Sequence, residues 1–157
     1  METAGSVTVM TFDQFQDIFR VVAGVGVGRD DFRPFDDIVT GKLYDLLLVA
    51  QQSAAAQHRS VIDVTDLPIT KGVQENIGLF HELGPRLRVE PVLARLATYP
   101  PFDRALAPET EMRLPEITGG LTATLALTFR TVYPDVRFLR SHGRHWSTIS
   151  AIADLYL

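Results

Sequence analysis

The stretch AGVGVGRDDFR, at positions 23–33, marks where one helical pattern stops and the next begins. Glycine readily adopts the left-handed conformation that ends many helices, so Gly24 is predicted to close the first helix. Asp30 or Asp31 can then cap a second helix. Pro34 follows in the first helical turn, where proline is tolerated. The stretch therefore predicts a loop between two helices.

Helical patterns extend outward from this loop in both directions. On the N-terminal side, Thr11 is a good N-cap, and apolar residues follow it at helical spacing as far as Val22. On the C-terminal side, a single apolar stripe runs from Phe35 to about Gln57, which predicts one long helix. Gly41 weakens this helix without ending it.

A third helix is predicted after a short strap. Residues 60–64 are rich in β-branched side chains and are expected to be extended. Thr65 or Asp66 can cap the helix that follows, which ends near Gly84. The first half of the chain therefore consists of a short helix, a long helix, a strap and another short helix.

The second half repeats this order imperfectly. A short helix is predicted from Val92 to Tyr99, a long helix from about Arg113 to Tyr133, and a last helix from about Ser147. We expect a single domain over residues 1–157, with one half at 11–84 and a degenerate half at 85–157. Its length of 157 residues is in the usual range for one hydrophobic core.

Composition narrows the class of protein. The chain is 46% hydrophobic and contains no cysteine, which excludes disulfides and thiolate metal sites. The first ten residues lack the basic and apolar regions of a signal peptide, and the longest apolar run is far shorter than a membrane helix. We expect a soluble, cytoplasmic protein with no membrane contact.

The net charge of −4 argues against a general affinity for nucleic acid, because non-specific binding depends on clustered Lys and Arg. The charge is also uneven. Residues 1–78 carry 6 Lys and Arg against 11 Asp and Glu, whereas residues 79–157 carry 9 against 8. Any basic surface is therefore expected in the second half.

The order of helices resembles the histone fold. In archaeal histones the first helix ends in Ala-Gly, and five residues later Asp-Asp-x-Arg begins the long helix. This chain has Ala23-Gly24 and then Asp30-Asp31-Phe32-Arg33 at the same spacing. Those histones also join an Arg before the strap to an Asp seven residues later. The resemblance implies that Arg59 and Asp66 form this structural clamp.

The chain is more similar still to a bacterial family with two histone folds in one chain, domain of unknown function nineteen thirty-one. The motifs that carry this likeness are KLYDLL at 42–47, DLPI at 66–69 followed by KG, and LPE at 114–116. The family implies six helices around a central one and no established activity. We therefore expect an all-α histone fold, with two diverged halves fused as an intramolecular pseudodimer around a long central helix.

A lone histone fold leaves the apolar face of its long helix uncovered, so two copies must pair. A chain that holds both copies pairs internally, and each half is then free to diverge.

Gly24, Gly26 and Gly28 could suggest a phosphate-binding loop. Such loops follow a strand and lead into a helix whose amides meet the phosphate. This one follows a helix and runs into two aspartates, so a connection between helices is the favoured interpretation.

No catalytic, cofactor or metal site is predicted. His142 and His145 lack the carboxylate or Cys ligands that zinc needs nearby, and no serine lies in a nucleophile elbow. The acidic pairs at 30–31 and 36–37 are interpreted as favourable charges at the positive end of a helix.

Arginines are the candidate contact residues for nucleic acid or for a partner protein. A basic stretch from Arg130 to Trp146 combines several of them with an aromatic side chain. A solvated loop and helix end that neutralises nearby acids is favoured over a binding surface as the interpretation of this stretch. The candidates are Arg29, Arg33, Arg137, Arg140 and Arg144.

Duplex DNA binding is expected to be weak. On the ungapped match to archaeal histones, basic contact residues are replaced by Ile18, Val21 and Val27, and the Lys-Thr after the clamp arginine by Ser60-Val61.

The leading hypothesis is a non-catalytic module that binds a protein partner or self-associates, with at most weak DNA binding. One alternative is a nucleoid-associated DNA-binding protein. Another is a small-ligand-binding protein or enzyme with an unrecognised pocket. A ligand retained through purification would favour the last alternative, and a single stable protein partner would favour the first hypothesis.

Overall fold

The computed structural model describes residues 7–84, 86–139 and 144–157. These residues are mostly helical, with one short two-stranded parallel sheet. The elements are α1 (Phe12–Ile18), α2 (Arg29–Ala56), β1 (Val61–Ile62), α3 (Lys71–Leu83), α4 (Val89–Leu96), β2 (Ala105–Leu106), α5 (Pro108–Val132) and α6 (Arg144–Tyr156).

The first helix begins and ends where the sequence indicates. The Thr11 hydroxyl accepts a hydrogen bond from the Gln14 amide at 3.1 Å, and the Gln14 side chain accepts one from the Thr11 amide at 2.9 Å. After α1 the chain makes a π-helical turn over Phe19–Ala23. Gly24 then ends it with a φ of 68°. The predicted cap and the predicted stop are both confirmed.

The second helix begins earlier than predicted, at Arg29. Gly28 is its N-cap residue, and the carboxylate of Asp31 accepts a hydrogen bond from the Gly28 amide at 2.7 Å. Pro34 consequently lies in the second turn rather than the first. There its missing amide removes one main-chain hydrogen bond, close enough to the end of the helix for α2 to continue to Ala56.

The predicted caps of the third helix are wrong. Residues Val64–Asp66 form one turn of 3₁₀ helix, and α3 starts only at Lys71. Pro68 explains the delay, because the residue before a proline avoids the helical conformation, and Leu67 is extended with ψ of 122°. The hydroxyl of Thr70 caps α3 by accepting a hydrogen bond from the Val73 amide at 3.2 Å.

The helices of the second half also start earlier than predicted. Pro91 lies within the first turn of α4 rather than before it, and α4 ends ahead of Pro100. In α5 the first residue is Pro108, whose fixed φ suits that position, and not Arg113. The start of α6 lies at Arg144 as far as the structure describes it, instead of Ser147.

Helix α5 is central and contacts each of the other five helices. Its closest neighbour is α3, which it meets at Gly119 and Gly120. A Cβ added at Gly120 would lie 2.5 Å from Ile77 Cγ1 and 3.2 Å from the Val73 carbonyl oxygen. The two helices therefore approach so closely that only glycine fits between them.

Two loop pairs join the first half of the chain to the second. At one of them β1 pairs with β2 in parallel, Val61 opposite Ala105. At the other, Gly26 pairs in parallel with Phe138. The Gly26 amide donates to the Arg137 carbonyl at 2.7 Å, and the Leu139 amide donates to the Gly26 carbonyl at 2.9 Å. We call the first loop pair the clamped end and the second the arginine end.

Candidate functional site

The clamped end is organised around the carboxylate of Asp66, whose side chain is completely buried. The Arg59 guanidinium binds both Asp66 oxygens, with Nη2 at 2.9 Å from Oδ1. The Ser53 hydroxyl and the Asp63 amide also donate to this carboxylate, each at 2.8 Å. The structure thus brings together the two residues that the resemblance assigned to the clamp.

These contacts change the acidity of the buried group. The hydrogen bonds from Arg59 hold the pKa of Asp66 well below its usual range, although burial acts in the opposite direction. Arg104 donates from Nε to the Arg59 carbonyl at 2.8 Å and lies 3.2 Å from Asp103. Both arginines near the clamped end are therefore paired with carboxylates.

The arginine end is different. Arg29, Arg130, Arg137 and Arg144 are all exposed there, and none lies within 4.0 Å of a carboxylate of any described residue. Arg29 lies over the Phe12 ring, 4.5 Å from its centroid. Arg130 donates to the Val22 carbonyl at 3.1 Å, which places it beside the loop of Gly26.

Trp146 connects the starts of two helices at the arginine end. Its indole Nε1 donates to Asp31 Oδ1 at 2.9 Å, which brings the first described turn of α6 to the first turn of α2. The indole is buried, and its ring centroid lies 5.7 to 6.4 Å from those of Phe15, Phe19, Phe35 and Phe129.

The interpretation of Trp146 as an exposed aromatic contact in a basic stretch is therefore wrong. Its helical spacing with Ile149 and Ala153, both fully buried, was the signal in the sequence that pointed to the core. The His145 ring packs against Tyr133, with 4.5 Å between the two ring centroids.

The other candidate arginines have separate outcomes. Arg33 is engaged with Asp37, at 3.4 Å. Arg140 lies outside the described residues, as does His142.

A buried ion network escaped the sequence analysis. Arg95 Nε lies 2.7 Å from Asp36 Oδ2, and Arg95 Nη2 lies 2.6 Å from Asp37 Oδ1. The Val9 amide donates to the other Asp36 oxygen at 2.8 Å. The prediction that Asp36 and Asp37 act at the positive end of the helix is therefore wrong. They lie beyond the first turn, where every amide already has a partner, and they bind α4 instead.

The amides of all three loop glycines donate hydrogen bonds within the protein, that of Gly24 to the Arg20 carbonyl at 3.1 Å. The Gly28 amide binds Asp31, and the Gly26 amide binds the Arg137 carbonyl. Gly24 serves as the left-handed stop of the first helix. These roles match the interpretation of a connection between helices.

Two negative findings concern metal binding and membrane insertion. Within residues 7–84, 86–139 and 144–157, no three His, Asp or Glu side chains converge as metal ligands would. None of the helices in those ranges combines the length and the apolar character needed to span a membrane.

A cleft between α3, α5 and α6 has a volume of about 420 Å³. Its surface is mainly apolar, and its polar groups come from Asn76, Tyr156 and four threonines, Thr70, Thr124, Thr128 and Thr131. Asn76 Nδ2 donates to the hydroxyl of Thr124 at 2.7 Å, so part of this polarity is satisfied internally.

The chain is similar to two proteins of known structure. One is ttk003001566 from Thermus thermophilus, with 33% sequence identity and a TM-score of 0.90 over 95% of this chain and 99% of that one. The other is AQ328 from Aquifex aeolicus, which at 22% identity and a TM-score of 0.76 over 99% of this chain and 100% of that one shows a shared fold. A comparison with curated proteins finds no match. The family model of a domain of unknown function, DUF1931, matches residues 15–154, and the chain therefore belongs to the DUF1931 family.

Proposed function

We propose that this chain is a non-catalytic binding module of the cytoplasm, built as a histone-fold pseudodimer. The observation that carries the proposal is the crosswise pairing of its loops. The loop after the first short helix pairs with the strap of the second half, and the strap of the first half pairs with the corresponding loop of the second half. Two histone folds that cover each other's long helix make this arrangement.

Because the two halves cover each other's apolar faces, we infer that the protein acts by binding a partner at its outer surface. The long helices α2 and α5 contact each other, and α5 is buried along most of its length. A pseudodimer closed in this way presents its loops and outer helix faces to a partner. We infer that the partner is a protein or a nucleic acid held by surface contacts, and that self-association is the alternative use of the surface.

Duplex DNA is bound at most weakly in this proposal. Among the described residues, nine Lys and Arg side chains lie within 4.0 Å of a carboxylate, including both arginines near the clamped end. Of the positions matched to histone contacts, Ile18 and Val27 are buried and Val21 is exposed but apolar. A duplex that lies along both loop pairs would find unneutralised arginines at only one of them.

The alternatives make different demands. A nucleoid-associated role requires the arginine end alone to hold a duplex at physiological salt. A small-ligand or enzymatic role requires a pocket, and candidates are the 420 Å³ cleft of α3, α5 and α6 and a cavity of about 460 Å³ beside Tyr99 and Phe102.

A titration of labelled duplex DNA with the full chain across salt concentrations tests the proposal. We expect weak, salt-sensitive association with a shallow slope, because few phosphate contacts are available. Tight binding at physiological salt, with a steep slope that Arg137→Ala and Arg144→Ala abolish, would establish the nucleoid role instead. Arg88→Ala is the matched control, since Arg88 is exposed and paired with Glu90.

A further inference from the structure

At the arginine end, Arg29 occupies a position where the helix dipole disfavours positive charge. Arg29 is the first residue of α2, and a cation is unfavourable beside the positive end of a helix dipole. Near these arginines in the sequence the exposed acids are Asp30 and Asp135, and neither lies within 4.0 Å of an arginine that the structure describes. Asp31 is buried and already binds Gly28 and Trp146. Residues that break a local rule in this way often mark a functional site.

An exposed aromatic ring lies on the same segment as Arg137, at the arginine end. The Phe138 side chain is 71% exposed, whereas phenylalanine is among the residues most often buried. Its ring packs directly on Gly26. A Cβ added at that glycine would lie only 2.6 Å from the ring. The two main-chain hydrogen bonds between Gly26 and the flanking residues Arg137 and Leu139 hold the ring in place. The result is an accessible ring next in sequence to the exposed Arg137, on a segment that is paired with the loop leading into the exposed Arg29.

We propose that the arginine end binds single-stranded nucleic acid, with an unpaired base stacked on Phe138 and neighbouring phosphates bound by Arg29, Arg137 and Arg144. The inference rests on the proposed function, since it requires a non-catalytic binding surface.

Aromatic stacking next to basic groups is how sequence-tolerant single-strand binding is achieved. A base inside a duplex is already stacked and cannot reach the ring. The planar guanidinium group, with its fork of donors, matches the phosphate oxygens.

The experiment measures fluorescence anisotropy of a labelled single strand of about 15 nucleotides and of the matching duplex, using the full chain. We expect the single strand to bind at least about tenfold more tightly than the duplex, and Phe138→Leu to weaken single-strand binding about tenfold. Phe138→Trp should retain it, because stacking needs a ring. Arg137→Gln should weaken binding and lower the salt slope by about 0.7.

Two variants serve as controls. Met112→Leu changes a side chain that is also 71% exposed, and it lies on α5 about 30 Å from the arginine end, at about 1.5 Å per residue. Arg86→Gln removes an exposed arginine on the same side as Met112. Neither should alter binding, and none of the variants should lower the melting temperature.

Several results would overturn the inference. They are failure of the single strand to bind, equal binding by the wild type and the Phe138→Leu variant, and tighter binding of a labelled polyglutamate peptide than of the single strand. These outcomes leave the proposed function intact. Tight duplex binding at physiological salt would instead contradict the proposed function, so the two failures are distinguishable.

Discussion

At the scale of single residues, the most demanding group is the carboxylate of Asp66. It is completely buried, and it is stable there because Arg59, Ser53 and the Asp63 amide all donate to it. The residues on either side of the strap are thereby tied together. This is the physical content of the Arg and Asp spacing in the sequence.

We predict that Asp66→Asn destabilises the protein by ~1–3 kcal/mol at neutral pH, because an amide cannot accept all of these donors. The folded pKa of Asp66 lies well below its usual value of 3.8, so its contribution is fully present above that value and is lost progressively as the pH falls from 3.8 toward the folded pKa. The free energy of unfolding of the wild type, measured by urea titration from pH 7 to pH 3, should therefore fall more steeply with acid than that of the variant.

A double-mutant cycle supplies the control for this prediction. Arg59→Gln and Asp66→Asn, combined, should be less destabilising than the sum of the single changes, because the two side chains share hydrogen bonds. Zero coupling between them would show that the pair does not act as a clamp.

A second residue-scale prediction concerns two adjacent acids that bind one arginine. The Asp36 side chain is fully buried, whereas that of Asp37 is 53% exposed, and Arg95 binds both. Asp36→Asn should cost ~3 kcal/mol, since it removes the only buried carboxylate that binds the Arg95 guanidinium among the described residues and leaves the half-exposed Asp37 as its one acidic partner there. Asp37→Asn should cost less than ~1 kcal/mol, as for surface ion pairs. Equal losses of melting temperature in the two variants would contradict this assignment.

At the scale of elements, the sequence predicted which helices exist better than where they begin. The apolar stripes of α2 and α5 are long, so their existence was clear from periodicity. Where a helix starts depends on partners far along the chain or on the backbone restrictions imposed by proline. For example, α3 starts at Lys71 because Pro68 forces an extended Leu67, and the hydroxyl of Thr70 is the cap.

The contact between α3 and α5 gives an element-scale prediction with a matched control. Gly120→Ala should destabilise by ~1–3 kcal/mol, because the methyl group would meet Ile77 and the backbone of α3. Gly78→Ala, on the open side of α3 with no atom within 4 Å, should instead stabilise by ~0.5–1 kcal/mol. Thermal unfolding of the two variants measures the difference, and a stabilised Gly120→Ala protein would show that the helices can separate without cost.

At the scale of the whole molecule, part of the candidate site was accessible to sequence reasoning and part was not. The basic stretch in the sequence points to Arg137 and Arg144, and the match to archaeal histones points to Arg29. Their assembly at one end depends on the pairing of Gly26 with Phe138, a contact between residues more than 100 positions apart. Phe138 carried no signal, because a lone phenylalanine after a helix is normally read as core.

The last prediction tests the fusion of the two halves. In the full chain, the buried stripe of α2, which includes Phe35, Val39, Leu43 and Leu47, is covered in part by α4, α5 and α6 of the second half. A fragment of residues 1–84 loses that cover and exposes a continuous apolar face. We expect it to self-associate or aggregate in sedimentation experiments at concentrations where the full chain gives a single species. A cooperative thermal transition from a demonstrably monomeric fragment would mean that the first half folds without the second, and would contradict the proposed pseudodimer with its one shared core.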